Sequence, residues 1–268
     1  MNFPDDWTVA FLMQMSSASR RSTKFFAFLR SAEIADKAAF HDWLLGSFGP
    51  LLCREAPALS RFLIDVVDQT PSKLPYTPPS ETGSPANLDH APIYDAILQM
   101  WLPTEADFRA ISEPWPKALI DRTTARHRYR ASETTIWTRE RERPGRKPGL
   151  KYLGLLEFHD DLSEHAIRRS WAHHTHLARR AHPHAETYLQ NWLDESLDAG
   201  APPARGVSEL YLPPESDPFA NFFASETARQ EITHETMHFI RAGRRFYTTE
   251  HVLRLDTAGS PNVAASSS

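Results

Sequence analysis

The stretch LSEHAIRRSWAHHTHLARRAHPHAETYLQN, residues 162–191, predicts a helix that leads directly into a strand. Ser163 is a typical residue to cap the start of a helix, and the helical pattern after it runs over residues 164–181. The pattern stops before Pro183, because proline has no backbone N–H with which to continue a helix. Residues 187–193 then have the composition of a β-strand. We therefore expect a helix and a strand to follow one another here with only a short turn between them.

An earlier copy of this pattern lies 126 positions before it in the chain. The earlier copy has the same order of elements, and its Phe62 takes the place that Tyr188 has in the later copy. The residues that recur at this spacing are Leu51 with Leu177, Arg54 with Arg180, Pro57 with Pro183, Leu63 with Leu189, and Asp68 with Asp194. We interpret the two segments as an internal duplication, because matched residues at a fixed spacing are the signature of a repeat.

Each copy is predicted to contain six elements in the order βαββαβ. The strands are predicted at residues 24–29, 61–67, 93–102 and 126–137 in the first copy, and at 151–156, 187–193, 206–212 and 244–253 in the second. Glu133 and Glu250 take equivalent places on the two last strands. The fold class is therefore α+β, built from two ferredoxin-like repeats.

The duplication also predicts how the two copies assemble. A four-stranded sheet that carries both helices on one face leaves its other face apolar and uncovered. The second copy supplies the cover within the same chain, so we expect the two sheets to form one intramolecular barrel. The expected boundaries are residues 21–138 for the first repeat, 139–150 for a linker, 151–256 for the second repeat, and 257–268 for a disordered tail.

The composition excludes several classes of function. The chain has 268 residues, of which 41% are hydrophobic, and its formal net charge of −4 provides no field to hold nucleic acid or an anionic membrane. Its single cysteine permits neither an internal disulfide nor a thiolate metal site. No apolar run approaches the ~20 residues of a membrane helix, and Asp5 and Asp6 stand where a signal peptide carries positive charge. We expect a cytoplasmic protein whose partner is a small molecule, with no nucleic acid and no membrane involved.

The two repeats differ most where the first helix faces the sheet. At about 100° per residue, His174 lies near the centre of the inward side of its helix, where the first repeat has Phe48. One face of the next strand changes from Phe62, Ile64 and Val66 in the first repeat to Tyr188, Gln190 and Trp192 in the second. Burying such polar groups without partners costs ~1–3 kcal/mol each, so a ligand cavity or an internal hydrogen-bond network must satisfy them. The opposite strand face is expected to line the barrel interior with Leu189, Asn191 and Leu193.

Further residues of the second repeat fit a binding pocket. Tyr152 adds a hydroxyl on the first strand, and Gly154 either lets a flat ligand approach the backbone or adjusts the packing. His159 ends that strand, either at the mouth of a pocket or exposed in a loop. Arg245 and its counterpart Arg128 lie on the last strands, where a guanidinium either holds a carboxylate or stays exposed at an edge.

The sequence HETMH at residues 234–238 matches the H-E-x-x-H motif. On a helix this motif places two imidazoles and a carboxylate together for zinc hydrolysis. A metallopeptidase also needs a third ligand, and Arg241 stands where the extended motif has glycine, while Glu250 follows only in a predicted strand. A zinc hydrolase that uses His234 and His238 is thus an alternative, and otherwise these histidines lie on the polar side of the second helix of the repeat.

The second repeat resembles the EthD-like family of the dimeric α+β barrel superfamily, and the first repeat resembles it weakly. The resemblance rests on the stretch quoted above, with its serine-containing helix start, its Trp and His-x-x-Leu helix and its Tyr-x-x-Asn strand, on GVSELYLP at 206–213, and on Glu250. Two departures are clear. Trp171 and His174 lie closer together than is usual, and the first repeat has FGPL from Phe48 onward where a histidine is expected. The first repeat is therefore expected to be degenerate.

The resemblance implies a cofactor-independent enzyme that acts on an aromatic or polyketide-like small molecule. His174 would be the acid–base residue, because an imidazole can take and return a proton near neutral pH. Tyr188 or Tyr152 would polarise or protonate the substrate oxygen. The remaining substrate contacts would come from Gln190, Trp192, His159, Trp171 and Arg245.

By analogy, the favoured reaction is a lyase step, the loss of carbon dioxide or water, ahead of cyclisation or isomerisation. No cofactor is expected, and the chain is expected to be a monomeric pseudo-dimer or a homodimer. The alternative from another class is a non-catalytic protein that binds a small molecule or serves an accessory role.

Overall fold

The computed structural model describes residues 22–32, 36–69, 86–87, 94–113, 115–139, 142–215 and 222–255. The tail expected at residues 257–268 and the start of the predicted third strand at Ile93 lie outside these ranges. Within them, no helix combines the length and the apolar character needed to cross a membrane.

The first repeat contains the predicted elements in the predicted order. They are β1 (Thr23–Ser31), α1 (Lys37–Trp43), a π-helical turn (Leu44–Phe48), α2 (Gly49–Glu55), β2 (Arg61–Gln69), β3 (Ala86–Asn87), β4 (Ala96–Leu102), α3 (Glu105–Ser112), α4 (Lys117–Asp121) and β5 (Thr123–Thr138). The π-helical turn joins α1 to α2 just before Pro50. Proline cannot donate to the carbonyl four residues before it, and its ring crowds that carbonyl, so the helix widens at this point.

The second repeat follows the same order. Its elements are β6 (Gly145–Arg146), β7 (Leu150–Phe158), α5 (Glu164–Ala181), β8 (Thr187–Ser196), β9 (Gly206–Leu212), α6 (Glu226–Thr236) and β10 (Ile240–Leu255). Helix α5 has the predicted ends, and the Ser163 side chain accepts a hydrogen bond from the backbone N–H of Ala166. Ser225 caps α6 in the same way. These caps satisfy N–H groups that have no partner within the helix.

Eight of the strands pair antiparallel in a closed barrel. Their order is β2, β4, β1, β5, β8, β9, β7 and β10, and the pairing of β10 with β2 closes the ring. Within each repeat, the spatial order is therefore second, third, first and fourth strand. The prediction of an α+β fold in which two ferredoxin-like units form one barrel is confirmed.

The last strand of each repeat joins it to the other repeat. Both β5 and β10 contain 16 residues, more than predicted. The first part of β5 pairs with β1, and its last part pairs with β8 of the second repeat. Strand β10 likewise pairs first with β7 and then with β2. The additional length belongs to the junction between repeats, and this is why the pattern within one repeat does not reveal it.

Alternate residues on the eight strands point into the barrel and form an apolar layer and a charged layer. Phe28, Tyr129, Leu155 and Phe246 belong to the apolar layer. The charged layer contains four pairs from equivalent positions of the two repeats, Lys24 with Lys151, Asp65 with Asn191, Gln99 with Glu209, and Glu133 with Glu250. The expected interior face of β8 is present, since Leu193 joins the apolar layer and Asn191 the charged layer.

Candidate functional site

A cavity of about 110 Å³ lies between the sheet of the second repeat and the helices α5 and α6. We call it the second-repeat cavity. Its wall contains five residues that the sequence singles out, namely Tyr152, Trp171, His174, Tyr188 and Arg245. Apolar side chains such as Leu156, Leu210, Phe222 and Ile232 supply much of the remaining wall. Polar groups thus face a mostly apolar enclosure, which is the usual character of a small-molecule site.

His174 joins the two helices at the edge of this cavity. The side chain of His174 is 7% exposed, and its Nδ1 lies 2.7 Å from Oε2 of Glu235 on α6. A carboxylate only accepts, so Nδ1 carries the proton and donates it to Glu235. The hydrogen bond from His174 holds the pKa of Glu235 below its usual range. This leaves Nε2 of His174 as the nitrogen that can exchange a proton with a ligand.

Sequence reasoning did not pair Glu235 with His174. Glu235 is the acidic residue of the H-E-x-x-H stretch, and the sequence indicates only a possible role in a metal motif for it. The two residues are 61 positions apart, and they meet because α5 and α6 pack side by side on the sheet. The sequence signal for Glu235 was therefore present, but the partner was not visible before the helices were placed.

Tyr188 lies beside His174 on the sheet side of the cavity. Its hydroxyl accepts a hydrogen bond of 3.0 Å from Nε2 of Gln190, and the same amide donates to the backbone oxygen of Trp171 at 2.9 Å. Burial raises the pKa of Tyr188 to about 12. The phenol therefore stays protonated, and its own O–H is available as a donor. Gln190 holds Tyr188 in place but is not itself part of the cavity wall.

The floor of the cavity is formed where β7 pairs with β9. Gly154 faces Ser208 in this register, and a Cβ at Gly154 would lie 2.6 Å from Oγ of Ser208 and 3.1 Å from the hydroxyl of Tyr152. The space above the glycine is thus filled by these two hydroxyl groups. Gly154 makes room for the polar floor of the cavity, and a ligand meets the hydroxyls before it meets the backbone.

Arg245 lies on β10 directly opposite Gly154 and lines the cavity together with Arg244. The counterpart in the first repeat, Arg128, holds the carboxylate of Asp198 through two of its nitrogens at 2.6 and 3.0 Å. Arg128 therefore has a structural partner within the fold. Arg245 lies in the wall of the second-repeat cavity and contributes positive charge there.

Like Gln190, two further residues expected to contact substrate lie outside the cavity wall. The ring of His159 contacts the backbone oxygen of Met237 at 2.9 Å, and this contact ties the end of β7 to the turn after α6. Trp192 is stacked on Phe158 at 5.3 Å between ring centroids, and the guanidinium of Arg168 covers its ring at 3.9 Å. Both side chains are engaged in packing around the cavity and do not border it.

His182 lines the cavity and was not singled out from the sequence. It follows the last residue of α5, eight positions after His174, so it lies on the same side of the helix. Its Nδ1 lies 2.7 Å from the backbone oxygen of Phe222, and a carbonyl only accepts, so Nδ1 carries the proton. Burial lowers the pKa of His182 to about 4. The eight-residue spacing from an inward histidine could have identified it.

The two histidines of the H-E-x-x-H stretch point away from the cavity. His234 and His238 are exposed, and their ring centroids lie 5.0 Å apart. Helix α6 ends at Thr236, so His238 lies beyond it, and Glu235 is hydrogen-bonded to His174. Among the residues that the structure describes, the group of three side chains of metal-ligand type is elsewhere, inside the barrel, and consists of Asp65, Glu209 and Glu250.

A lysine already fills the space between those three carboxylates. Nζ of Lys151 lies 2.6 Å from Glu209, 2.6 Å from Glu250 and 3.2 Å from Asp65. Burial raises the pKa of Asp65 to about 7. For Glu209, burial also acts to raise the pKa, but the nearby ammonium groups of Lys151 and Lys24 hold it below its usual range. The cluster is therefore an internal ion network at one end of the barrel.

Comparisons with known proteins identify the fold. No family model matches the chain, and no protein of curated function is significantly similar to it in sequence. The crystal structure of an anthrone oxidase-like protein superposes with a TM-score of 0.52 at 11% sequence identity, covering 88% of this chain and 93% of that chain. A mutant chlorite dismutase from Candidatus Nitrospira defluvii gives a TM-score of 0.49 at 12% identity, covering 87% of this chain and 92% of that chain.

At such low identity, the likeness concerns the fold alone. Two βαββαβ units that close one antiparallel eight-stranded barrel, together with the likeness to the anthrone oxidase-like structure, show that this chain has the dimeric α+β barrel fold with both units in a single polypeptide.

Proposed function

We propose that the chain is a cofactor-independent lyase of EthD-like type that removes carbon dioxide from an aromatic small molecule bound in the second-repeat cavity. The observation that carries this proposal is the pair formed by His174 and Glu235 at the wall of the cavity. A histidine whose ring is oriented by a carboxylate is a common arrangement for moving protons, because the carboxylate fixes the tautomer and stabilises the imidazolium.

In this proposal, His174 supplies the proton that the reaction needs. The imidazolium gives its Nε2 proton to the ring carbon that carries the carboxylate. The bond between that carbon and the carboxylate then breaks, its electron pair returns to the ring, and carbon dioxide leaves. His174 takes a new proton from water, and Glu235 keeps the ring in one orientation throughout.

Tyr188 acts as a hydrogen-bond donor in this scheme. With its pKa raised to about 12 by burial, the phenol stays protonated and can polarise a substrate oxygen. It is a poor source of a whole proton for a leaving hydroxide. Decarboxylation, which requires one proton transfer through His174, is therefore better supported than dehydration. The hydroxyl of Tyr152 lies on the floor of the same cavity and is the second candidate donor.

The size of the cavity limits the substrate. A buried cavity of about 150 Å³ can hold benzene, and this cavity measures about 110 Å³. One aromatic ring is thus close to the largest ligand that can enter without rearrangement of the wall. The positive charge of Arg244 and Arg245 on that wall favours a ligand that carries a carboxylate. A single-ring aromatic acid fits these limits better than a polyketide of several rings.

The test is the release of carbon dioxide from a panel of single-ring aromatic acids. His174→Phe copies Phe48 of the first repeat and should reduce the rate by about 10²–10⁴-fold, because it removes the acid–base group. Glu235→Gln keeps a hydrogen-bonding group but no charge, and we expect a smaller loss. The matched control is His173→Phe, which changes a neighbouring exposed histidine.

The proposal predicts that circular dichroism and the melting temperature of His174→Phe stay near those of the parent protein. Full activity in His174→Phe would remove His174 from the mechanism. If the acids raise the melting temperature of the protein but none of them is converted to product, the chain is a binding protein and not an enzyme for these acids. Stoichiometric zinc in the purified protein that is lost in His234→Ala would favour the hydrolase.

A further inference from the structure

The second-repeat cavity contains a histidine that the proposed reaction does not use. His182 is 5% exposed and lies against the rings of Phe222 and Phe223, with centroid distances of 4.6 and 5.0 Å. Its Nδ1–H donates to the backbone oxygen of Phe222. This bond ties the end of α5 to the segment before α6, and it determines which ring nitrogen carries the proton.

The other ring nitrogen of His182 is an acceptor. A neutral imidazole has one N–H and one bare nitrogen, so donation from Nδ1 leaves the lone pair on Nε2. Over the ranges that the structure describes, Phe222 provides the only hydrogen-bond partner of this ring. Burial lowers the pKa of His182 to about 4, and the positive charge that His174 can carry acts in the same direction. His182 therefore stays neutral and keeps its acceptor at neutral pH.

The acceptor requires a particular kind of ligand group. His182 borders the cavity, so a ligand that fills the cavity without donating to Nε2 would leave this atom unpaired, at a cost of ~1–3 kcal/mol. A ligand that donates a hydrogen bond at this place is therefore favoured over one that does not. A protonated amine would meet the positive charge of Arg244 and Arg245 in the same cavity. A hydroxyl group donates without adding charge and is therefore the group that fits.

We propose that His182 is a specificity-determining residue that accepts a hydrogen bond from a substrate hydroxyl, so that the cavity selects hydroxylated aromatic acids over unsubstituted ones. This inference rests on the proposed function for the nature of the ligand. His182 lies eight residues from His174, which is about 12 Å along a helix at 1.5 Å per residue. Because the two histidines are separated along the helix, we expect the hydroxyl on the side of the ring away from the carbon that faces His174, as in a para-hydroxybenzoate.

Such an arrangement also assists the reaction. When the ring carbon takes a proton from His174, the ring becomes electron-poor, and a para hydroxyl supplies electron density to it. A neutral acceptor at His182 strengthens this supply by drawing the hydroxyl proton toward Nε2. After carbon dioxide leaves, the ring regains its electrons and the hydroxyl keeps its proton.

The test compares the binding of 4-hydroxybenzoate, 4-methoxybenzoate, 2-hydroxybenzoate and benzoate to the full chain by calorimetry. We expect 4-hydroxybenzoate to bind about tenfold more tightly than its methoxy analogue. A ligand that leaves the acceptor unpaired loses about the free energy that corresponds to a tenfold change in affinity. His182→Phe keeps an aromatic ring against Phe222 but has no acceptor, and it should bring the ratio close to one. His182→Asn, whose amide oxygen can accept, should keep a preference for the hydroxyl. His184→Phe alters an exposed histidine nearby and should leave the ratio unchanged.

The outcomes separate this inference from the proposed function. Equal binding of the four acids, no binding of any of them, or a hydroxyl preference that survives in His182→Phe would overturn the role of His182, even if carbon dioxide is released. A preference that disappears in His182→Phe and remains in His182→Asn would support it, even if no turnover is found. His174→Phe provides the converse variant, because it should lose turnover and keep the preference for 4-hydroxybenzoate.

Discussion

The two repeats place different chemistry at the same interface between helix and sheet. In the first repeat, Phe25 stacks on Phe108 with ring centroids 4.2 Å apart, and Phe48 packs near Trp115. In the second repeat, Tyr152 stands in the place of Phe25, and a cavity lies at part of the interface between the sheet and the helices. A duplicated fold has thus kept one interface closed and opened the other.

The loss of side-chain volume explains where the second interface opens. In the first repeat, β1 and β4 pair Ala27 with Leu98, and both side chains are fully buried. The corresponding pair of β7 and β9 is Gly154 with Ser208. Because protein interiors are close-packed, replacement of a leucine by a serine leaves a void unless the neighbours collapse into it. His174 and Tyr188 border the space that remains.

The charged layer inside the barrel is similar in the two repeats, in contrast to the interface between helix and sheet. The equivalent lysines Lys24 and Lys151 both contact Glu209, so the two halves of the network share a carboxylate. The remaining asymmetry lies in their other partners. Lys24 contacts the neutral amide of Asn191, whereas Lys151 contacts the carboxyl group of Asp65.

The largest expected effect comes from breaking this network on its more charged side. Lys151→Met would leave Glu209, Glu250 and Asp65 without their shared cation and should lower the free energy of unfolding by about 3–5 kcal/mol. Lys24→Met should cost less. Urea denaturation measures both, and the exposed Lys117→Met serves as the control with a change below about 0.5 kcal/mol. Equal losses at Lys24 and Lys151 would contradict the asymmetry.

The next largest change in stability is expected when Phe48 and His174, the equivalent residues of the two interfaces, are each replaced by the other residue type. Phe48→His removes a buried ring and introduces a polar group into a packed interface, and we expect a loss of about 2–4 kcal/mol in the free energy of unfolding. The reverse change, His174→Phe, places an apolar ring beside a cavity and should stay within about 1 kcal/mol. Similar losses for the two variants would mean that the interfaces are equally well packed.

Filling the cavity from its floor should weaken ligand binding with little effect on stability. Ser208→Leu copies Leu98 and adds volume to a cavity of about 110 Å³. We expect at least tenfold weaker binding of single-ring aromatic acids, measured by calorimetry, and a change in unfolding free energy within about 1 kcal/mol. Ala172→Leu, at an exposed position of α5, is the control. Unchanged affinity in Ser208→Leu would place the binding site elsewhere.

The smallest effect concerns the pH dependence of stability. Burial raises the pKa of Asp65 from 3.8 to about 7. Between these values, the unfolded chain releases the proton that the folded chain retains, so the contribution of this group is lost as the pH rises. Asp65→Asn copies Asn191 and should remove this component of the pH dependence.

Chemical denaturation at pH 5 and pH 8 tests this expectation. Relative to the parent protein, Asp65→Asn should have a more favourable free energy of unfolding at pH 8 than at pH 5. Asp121→Asn, an exposed change, should show no such shift. A variant that gains nothing between the two pH values would mean that Asp65 is ionised throughout.

Some features of the site followed from local sequence patterns. The order of elements, the ends of α5 and the inward position of His174 depend on periodicities of 3.6 and 2, and those periodicities are set by backbone geometry. The two faces of β8 were separated correctly for the same reason, with Asn191 inside the barrel and Gln190 toward α5.

Other features depended on the meeting of distant segments. Glu235 and His174 are neighbours only because α5 packs against α6, and the proton on His182 is determined by a backbone carbonyl 40 residues away. The charged layer was also missed, although its lysines and glutamates occupy equivalent positions in the repeats. Each strand alone presents one charged residue among apolar ones, and the network exists only once eight strands are closed into a ring.

The sequence by itself thus determined the duplicated βαββαβ order and the side of each element that is buried, because both depend on the spacing of apolar residues within short segments. Only the tertiary structure decided which buried polar groups meet, where a cavity remains and which ring nitrogen of His174 and of His182 carries the proton. Those properties arise from contacts between segments far apart in the chain, and close packing allows few alternatives once the barrel has closed.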